Sequence, residues 1–221
     1  HLTLYFKENV MTWVNQPACQ NCGNQTMESR QTRGPQTQEE LEGGASRVEV
    51  YDCSSCQNTT TFPRYNSVRK LLETRKGRCG EYANLFGLYC RAVGFETRYV
   101  SDFTDHVWVE CLVDGEWIMA DACEGLIDKN SMYEDGWGKD LNYIIAVTSD
   151  SVIDVTPRYT RKWFSPEFQA RRRGICSSEE ASQLIIKQYN AKIHSGCSKN
   201  RREELDRRME REQTMLNTCQ Q

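Results

Sequence analysis

The chain reads as an α+β protein in which a helix carries a cysteine against an antiparallel sheet. Three observations predict it. The run "CGEYANLFGLYC" behind Lys76-Gly77-Arg78 repeats its apolar residues at helical spacing, two alternating segments flank Asp114-Gly115, and two CxxC pairs precede both. A chain of 221 residues buries about 70% of its unfolded surface on folding, so one core needs no disulfide support. A formal net charge of −3 supplies no global basic field, and nucleic acid is not an expected partner. No apolar run approaches the ~20 residues that cross a bilayer, so the chain reads as soluble, with no membrane partner. It opens on His1 rather than methionine and reads as a fragment of a longer protein.

The elements follow in order. "TLYFKENVMTWVNQP" places Phe6, Val10, Trp13 and Val14 at helical intervals up to Pro17, which predicts an amphipathic helix over residues 1–16. Eleven cysteines would suggest a disulfide scaffold with one thiol left over, but their spacing points elsewhere. "CQNCG" (Cys19, Cys22) and "CSSC" (Cys53, Cys56) each turn two thiolates toward one point, and four such ligands complete a tetrahedral structural zinc site. Thiolate-bound zinc implies a reducing compartment, where the N-x-T sequons at Asn24 and Asn58 are chance matches. Residues 23–46 are polar and loop-like, and "RVEVYDC" alternates as a strand, giving a metal-clipped module over 17–60. "NSVRKLLETRKG" predicts a helix with a hydroxyl or amide cap, closed by Gly77.

In the next helix Tyr82, Leu85, Phe86, Tyr89 and Val93 share one face until Gly94 stops it. Cys79 therefore stands at the helix's amino end, where unpaired amides and the helix dipole favour thiolate, and Arg78 adds a neighbouring positive charge. Taken alone this is weak, because cysteines near helix starts are more often inert core thiols. "SDFTDHVWVECLVDGEWIMADACE" strengthens it. A two-residue Asp114-Gly115 turn pairs Val113 with Glu116 and, counting outward, His106 with Cys123, so that Asp121 is His106's diagonal neighbour. Val107, Val109, Cys111, Ile118 and Ala120 then form an apolar face toward the core. His106, Trp108, Glu110, Trp117, Met119 and Asp121 form a polar and aromatic one. Cysteine, histidine and aspartate in that order make the set that activates a thiol for acyl transfer.

"LNYIIAV" and "SVIDVT" add two strands around Ser149-Asp150, giving an antiparallel sheet of at least four strands. Residues 161–221 read as charged and helical, with a capping box from Ser177 to Glu180 and a solvated helix in "NRREELDRRMEREQ". The chain thus divides into an amino-terminal helix (1–16), a zinc-binding module (17–60), a core with the catalytic set (61–160) and a helical tail (161–221).

The blocks "GRCGEYAN", "TDHVW", "DACE", "GWGKDLNYIIAV" and "VIDVTPRY", with "WVNQPACQNCG" at the entry to the zinc site, resemble the cytoplasmic peptide:N-glycanases of the transglutaminase-like superfamily. The similarity covers residues 1 to about 160 and reaches the tail only loosely. It implies a transglutaminase-like, papain-like core. It also implies an amidase that removes N-linked glycans from misfolded or denatured glycoproteins, yielding aspartate and a glycosylamine. Cys79 would be the nucleophile, His106 the base, Asp121 its orienting partner, and Cys19, Cys22, Cys53 and Cys56 the structural zinc ligands. Trp108, Trp117, Glu124 and Trp137 would bind substrate, since indole faces stack on sugars and a carboxylate accepts their hydroxyls. The resemblance further implies cytoplasmic clearance of glycoproteins exported from the endoplasmic reticulum, with a ubiquitin-receptor shuttle to the proteasome as partner. Tyr82 departs from the family, which has tryptophan after "GE", and "NLFGLYC" replaces its "NCF". The rival readings are another thiol acyl-transfer enzyme, a protease or transglutaminase, and a non-catalytic transglutaminase-like DNA-binding module. The retained Cys79, His106 and Asp121 weigh against the module.

Overall fold

The computed structural model describes residues 2–219, so His1 and residues 220–221, the ends of the first and last expected segments, lie outside the described residues. The chain forms two compact units, His1–Gly94 with Asp121–Leu126, and Phe95–Ala120 with Ile127–Gln221. This partition cuts the chain differently from the fourfold division expected from sequence.

In the first unit, α1 (Leu2–Asn9) buries Phe6 edge-on against Tyr82, Phe86 and Tyr89, with ring centroids 6.0, 5.1 and 5.3 Å away. The helix stops short of the expected span. Thr12 and Trp13 form β1 beside β5 (Lys76–Gly77), because Thr12 N–H bonds Arg75 O at 2.8 Å and Val14 N–H bonds Gly77 O at 3.0 Å. A helix this short draws little from propensity, and strand pairing outbids it. Residues 23–46 are more ordered than their polarity suggests. They contain β2 (Met27–Arg33) and α2 (Gln38–Glu42), the latter closed by a Thr37/Glu40 capping box. β2 pairs antiparallel with β3 (Val48–Cys53), which pairs with β4 (Thr59–Pro63). A charged, mostly exposed edge strand shows no apolar alternation from which to be read.

α3 (Val68–Thr74) starts at the expected hydroxyl cap, Ser67, but ends at Arg75 in the left-handed region (φ +49°), two residues before Gly77. Gly77 answers a different need: a Cβ there would lie 2.3 Å from Glu81 Cβ. α4 (Cys79–Ala92) buries Tyr82, Leu85, Phe86 and Cys90, whereas Val93, expected on that face, is exposed past the helix end.

The second unit is built on a sheet of order β11-β10-β6-β7-β8-β9: β6 (Thr97–Asp102), β7 (His106–Val113), β8 (Glu116–Asp121), β9 (Leu126–Ile127), β10 (Ile144–Val147) and β11 (Val152–Asp154). The β6-β7, β7-β8, β6-β10 and β10-β11 pairs are all antiparallel. The turn has the expected register. Asp114 and Gly115 both take positive φ (+51° and +88°), and the ladder runs from Val113↔Glu116 to Val109↔Ala120, ending before it reaches His106.

The face assignment is reversed. The row shared with His106 is the core row: Trp108 and Met119 pack with Val100, Tyr133, Ile144, Tyr159, Phe168 and Leu216. Glu110 on that row is fully buried and fully satisfied, by Arg98 (2.5 Å), Arg158 (2.8 Å) and Tyr159 Oη (2.5 Å). Alternation misleads here because a paired charge is buried among aromatics, and Val109 and Cys111 on the opposite row are buried as well.

Three helices complete the unit: α5 (Pro166–Ile175), α6 (Glu179–His194) and α7 (Lys199–Cys219). α6 is capped by Ser178, one residue later than expected, its hydroxyl accepting from Ala181 N–H. α7 is no solvated appendage. It buries Leu205, Glu212 and Leu216, and Glu212 receives both Arg98 terminal nitrogens at 2.9 and 2.6 Å. Among the described residues no helix is long and apolar enough to cross a membrane.

Candidate active site

The two CxxC segments fold into matching knuckles. Cys19 N–H bonds Asn24 O and Gly23 N–H returns to Cys19 O, while Cys53 N–H bonds Asn58 O and Gln57 N–H returns to Cys53 O, all at 2.8–3.0 Å. Gly23 and Gln57 occupy the equivalent left-handed position in each (φ +74° and +60°). The four Sγ atoms lie within 4.8 Å of one another, with Cys19–Cys56 and Cys22–Cys53 at 3.6 Å. A tetrahedron with metal–sulfur bonds of about 2.3 Å has edges of about 3.8 Å, so the set fits a four-coordinate metal ion. Donation from the Asn58 side chain and backbone, with Asn21 adding to it, holds the Cys56 thiol down to about 6, whereas Cys22, though the Asn24 N–H pulls it down, is pushed up to about 12 by the Cys56 and Cys53 sulfurs.

The same strand that carries Cys53 reaches the start of α4. Glu49 on β3 takes Arg78 through two bonds (2.9 and 2.7 Å) and Arg64 at 3.1 Å, and Tyr51 Oη donates to it at 2.7 Å. Burial alone would raise the Glu49 carboxyl, but Arg78, Tyr51 and Arg64 bring it down to about 2. Arg64 also clasps Glu81 at 2.7 and 2.8 Å, and Glu81 accepts the Arg78 N–H at 2.9 Å. Arg78 anchors the turn further through Val14 O and Asn15 O. Its charge is therefore committed to Glu49. Rather than offering a free positive charge to Cys79, as expected from sequence, it fixes the backbone from which Cys79 begins the helix.

Cys79 is the first residue of α4 and is partly exposed. Asp121 belongs to the same unit and is fully buried, its Oδ1 accepting N–H groups from Cys123 (2.8 Å) and Glu124 (3.3 Å). Burial, then the charges of Asp121 and Cys79, push the Cys123 thiol well up. A cavity of about 490 Å³ opens here, lined by Met11, Thr12, Trp13, Tyr82, Cys123 and Glu124. Burial, with Cys123 adding to it, pushes the Tyr82 phenol up to about 12, so it stays a neutral aromatic wall.

His106, in the second unit, is buried at the start of β7, where it pairs with Asp102. Three rings surround it: Trp108, Tyr133 and Trp137, with centroids 5.7, 5.2 and 4.9 Å away. Tyr133 and Trp137 come from one π-helical turn, Met132–Gly136, and the residue that caps it. Lys139 steadies that turn, its Nζ bonded to Asp102 Oδ2 and Thr104 O at 2.8 Å and lying 5.7 Å from the Trp137 ring.

The four expected substrate residues are not alike. Trp137 is 43% exposed beside His106, and Glu124 lines the cavity of the first unit. Trp108 is 1% exposed, stacked on Tyr133 at 4.4 Å, with its indole N–H donated to Tyr159 Oη at 2.9 Å. Trp117 lies under the Arg98 guanidinium (4.1 Å) in a groove of about 120 Å³ that α7 helps to line. Sequence reasoning missed Trp13 and Tyr133. Pro17 close behind Trp13 could have argued against a helix there, and the four-residue spacing of Tyr133 and Trp137 could have marked a shared helical side.

The sequence model of the transglutaminase-like superfamily matches residues 25–122, a span that includes Cys79, His106 and Asp121. The chain belongs to the transglutaminase-like superfamily. Its relatives there are peptide-N(4)-(N-acetyl-beta-glucosaminyl)asparagine amidases. One from Arabidopsis thaliana is 53% identical over 164 residues, covering 73% of this chain and 22% of that protein. One from Rattus norvegicus is 47% identical over 207 residues (93% and 31%), and one from Yarrowia lipolytica 39% over 217 residues (97% and 60%). Within the superfamily, the chain belongs with these peptide:N-glycanases. It spans between about a fifth and three fifths of their lengths. Among solved structures, that of Rad4-Rad23 bound to a 6-4 photoproduct UV lesion aligns with a TM-score of 0.47 and 17% identity over 67% of this chain and 37% of that one.

Proposed function

We propose that this chain hydrolyses the amide linking an N-glycan to asparagine, with Cys79 as nucleophile, His106 as acid and base, and Asp121 as the group that orients the imidazole. The carrying observation is that relatives 39–53% identical to the chain bear the name of that amidase. The position of Cys79 at the first residue of α4 supports the nucleophile, because first-turn amides and the helix dipole favour thiolate and can receive an oxyanion. The thiolate adds to the side-chain carbonyl carbon. The carbon–nitrogen bond then breaks as His106 protonates the nitrogen, and the glycosylamine leaves. Water, deprotonated by His106, opens the thioester, and the peptide departs with aspartate in place of asparagine.

The substrates in this reading are misfolded or denatured N-glycoproteins, because a native fold would keep the linkage away from a half-buried thiol. Trp137 and Glu124 are the groups proposed to meet the sugar, by exposure and by position in the cavity. Trp108 supports His106 by packing, and Trp117 is left out of the sugar contacts. Zinc is the metal inferred for Cys19, Cys22, Cys53 and Cys56, since four thiolates in a tetrahedron suit it. When bound it closes the module that holds β3 and, through Glu49, the start of α4. A reducing cytoplasmic setting fits eleven free thiols, and a ubiquitin-receptor shuttle to the proteasome is the proposed partner.

Mass spectrometry of a denatured N-glycopeptide incubated with the protein tests the reaction. A gain of aspartate at the glycan site is expected, and Cys79→Ala abolishes it while keeping metal content and fold. Backbone cleavage or amine incorporation would instead identify a protease or a transglutaminase. Full glycan release by Cys79→Ala would exclude the nucleophile.

A further inference from the structure

Two separate turns enclose the His106 imidazole, and one side chain joins them. His106 opens β7 after a turn of three residues, 103–105, that begins at its register partner Asp102. Asp105, the last of the three, takes positive φ (+72°), and its N–H returns to Asp102 O at 3.2 Å. The Asp102 side chain, fully buried, shapes the same turn, accepting from Thr104 N–H at 2.9 Å and from Thr104 Oγ1 at 2.8 and 2.6 Å. Two of the three rings around the imidazole come from elsewhere. Tyr133 and Trp137 lie on the π-helical turn and its cap, and Lys139 follows them, its own N–H bonded to Tyr133 O at 2.9 Å. From there the Lys139 ammonium crosses to the first turn, donating to Asp102 Oδ2 and Thr104 O at 2.8 Å each, with Nζ 5.7 Å from the Trp137 ring centre. Both bonds depend on the lysine side chain. Each ends on the segment from which His106 starts its strand.

We propose that Lys139 is a positioning residue for His106, its ammonium holding the turn that carries the imidazole against the turn that carries Tyr133 and Trp137. This rests on the assignment of His106 above. A charged donor is suited to the place. Asp102 is buried with its charge, and a cation bonded to it at 2.8 Å both neutralises that charge and fixes the turn more firmly than a neutral donor would. Methionine keeps the length of the side chain and loses both bonds.

The test uses the full chain with a denatured N-glycopeptide, measuring kcat and KM for wild type, Lys139→Met and the double variant Asp102→Asn/Lys139→Met. The double variant leaves no buried carboxylate without its cation, so it keeps the test open should Lys139→Met not fold. Both variants are expected to lower kcat roughly tenfold with KM within about threefold. An unchanged kcat in a folded variant overturns the proposal. So does a loss confined to KM, which would tie Lys139 to the exposed Trp137 ring alone, and so does loss of the fold in both variants, which would make the ion pair purely structural. Histidine ring NMR needs no substrate and separates this proposal from the reaction itself. The chain has three histidines, the His106 signals are assigned by their loss in His106→Gln, and His194, bonded through Nε2 to Asp150 O, is the internal control. Lys139→Met, or the double variant in its place, is expected to move the His106 ring signals, which feel the currents of Trp108, Tyr133 and Trp137, and to leave those of His194 in place. Unmoved His106 signals, or an equal displacement of both histidines, overturn the proposal. If wild type releases no glycan, the reaction reading fails, while a shift confined to His106 still supports the positioning role.

Discussion

Arg78 and Glu49 are joined twice, Nη1 to Oε1 at 2.9 Å and Nη2 to Oε2 at 2.7 Å. The pair ties the strand that ends in Cys53, one of the four clustered cysteines, to the residue that precedes Cys79. Glu49→Gln removes the charge that neutralises Arg78 and, together with Glu81, Arg64. Breaking a buried pair from one side costs on the order of 3 kcal/mol, so the denaturation midpoint should fall clearly. Metal content should stay at one equivalent, because no ligand is altered, while Cys79 alkylation slows. Loss of the metal in this variant would mean that the strand, not the ion pair, had failed.

Acid should reveal the same carboxylates. Glu49 and Glu40 both titrate near 2 in the folded chain, Glu40 because the two-armed Arg33 bond, with the Gln36 and Thr37 N–H groups, outweighs its burial. The unfolded value is about 4.3. A lowered folded pKa gives stability that is fully present above the unfolded value and is lost as pH falls toward the folded one. The gap in unfolding free energy between wild type and Glu40→Gln should therefore hold steady from pH 7 to about 5 and shrink between about 4.5 and 2. A gap that widened in acid would contradict the assignment.

Metal removal should act at a distance. Cys22→Ser, or dialysis against a strong chelator, should empty the four-cysteine site, lower the melting temperature and reduce glycan release, because β3 then no longer holds Glu49 against Arg78. Cys111→Ser, a buried thiol outside that site, should keep full metal content. Elemental analysis beside thermal melting checks both.

The tryptophans near His106 should separate by exposure. Trp108→Ala opens a cavity in the core of the second unit and should cost about 3–5 kcal/mol. Trp137→Ala, with its ring 43% exposed, should leave the melting temperature within a few degrees and instead raise KM for a glycopeptide about tenfold. Equal effects of the two on stability would remove the distinction.

Much of this was legible because local rules and tertiary needs coincided. Helix spacing behind Cys79, the Asp114-Gly115 turn and the CxxC pairs each specify their structure with few neighbours. Misreadings arose where distant partners decided. Trp13 looks helical until β5 supplies backbone partners, and Glu110 looks like a surface residue until Arg98, Arg158 and Tyr159 surround it. β2 carries no apolar alternation at all. The aromatic surroundings of His106 depend on a π-helical turn some thirty residues downstream, which no periodicity announces.

The union of Arg98 with Glu212 spans 114 residues. A ribosome delivers the guanidinium long before the carboxylate that joins Glu110 in neutralising it. Until α7 emerges, the sheet holds Arg98 and Arg158 against Glu110 alone, and Glu212 supplies the second carboxylate. Completion of this charge cluster therefore waits on α7.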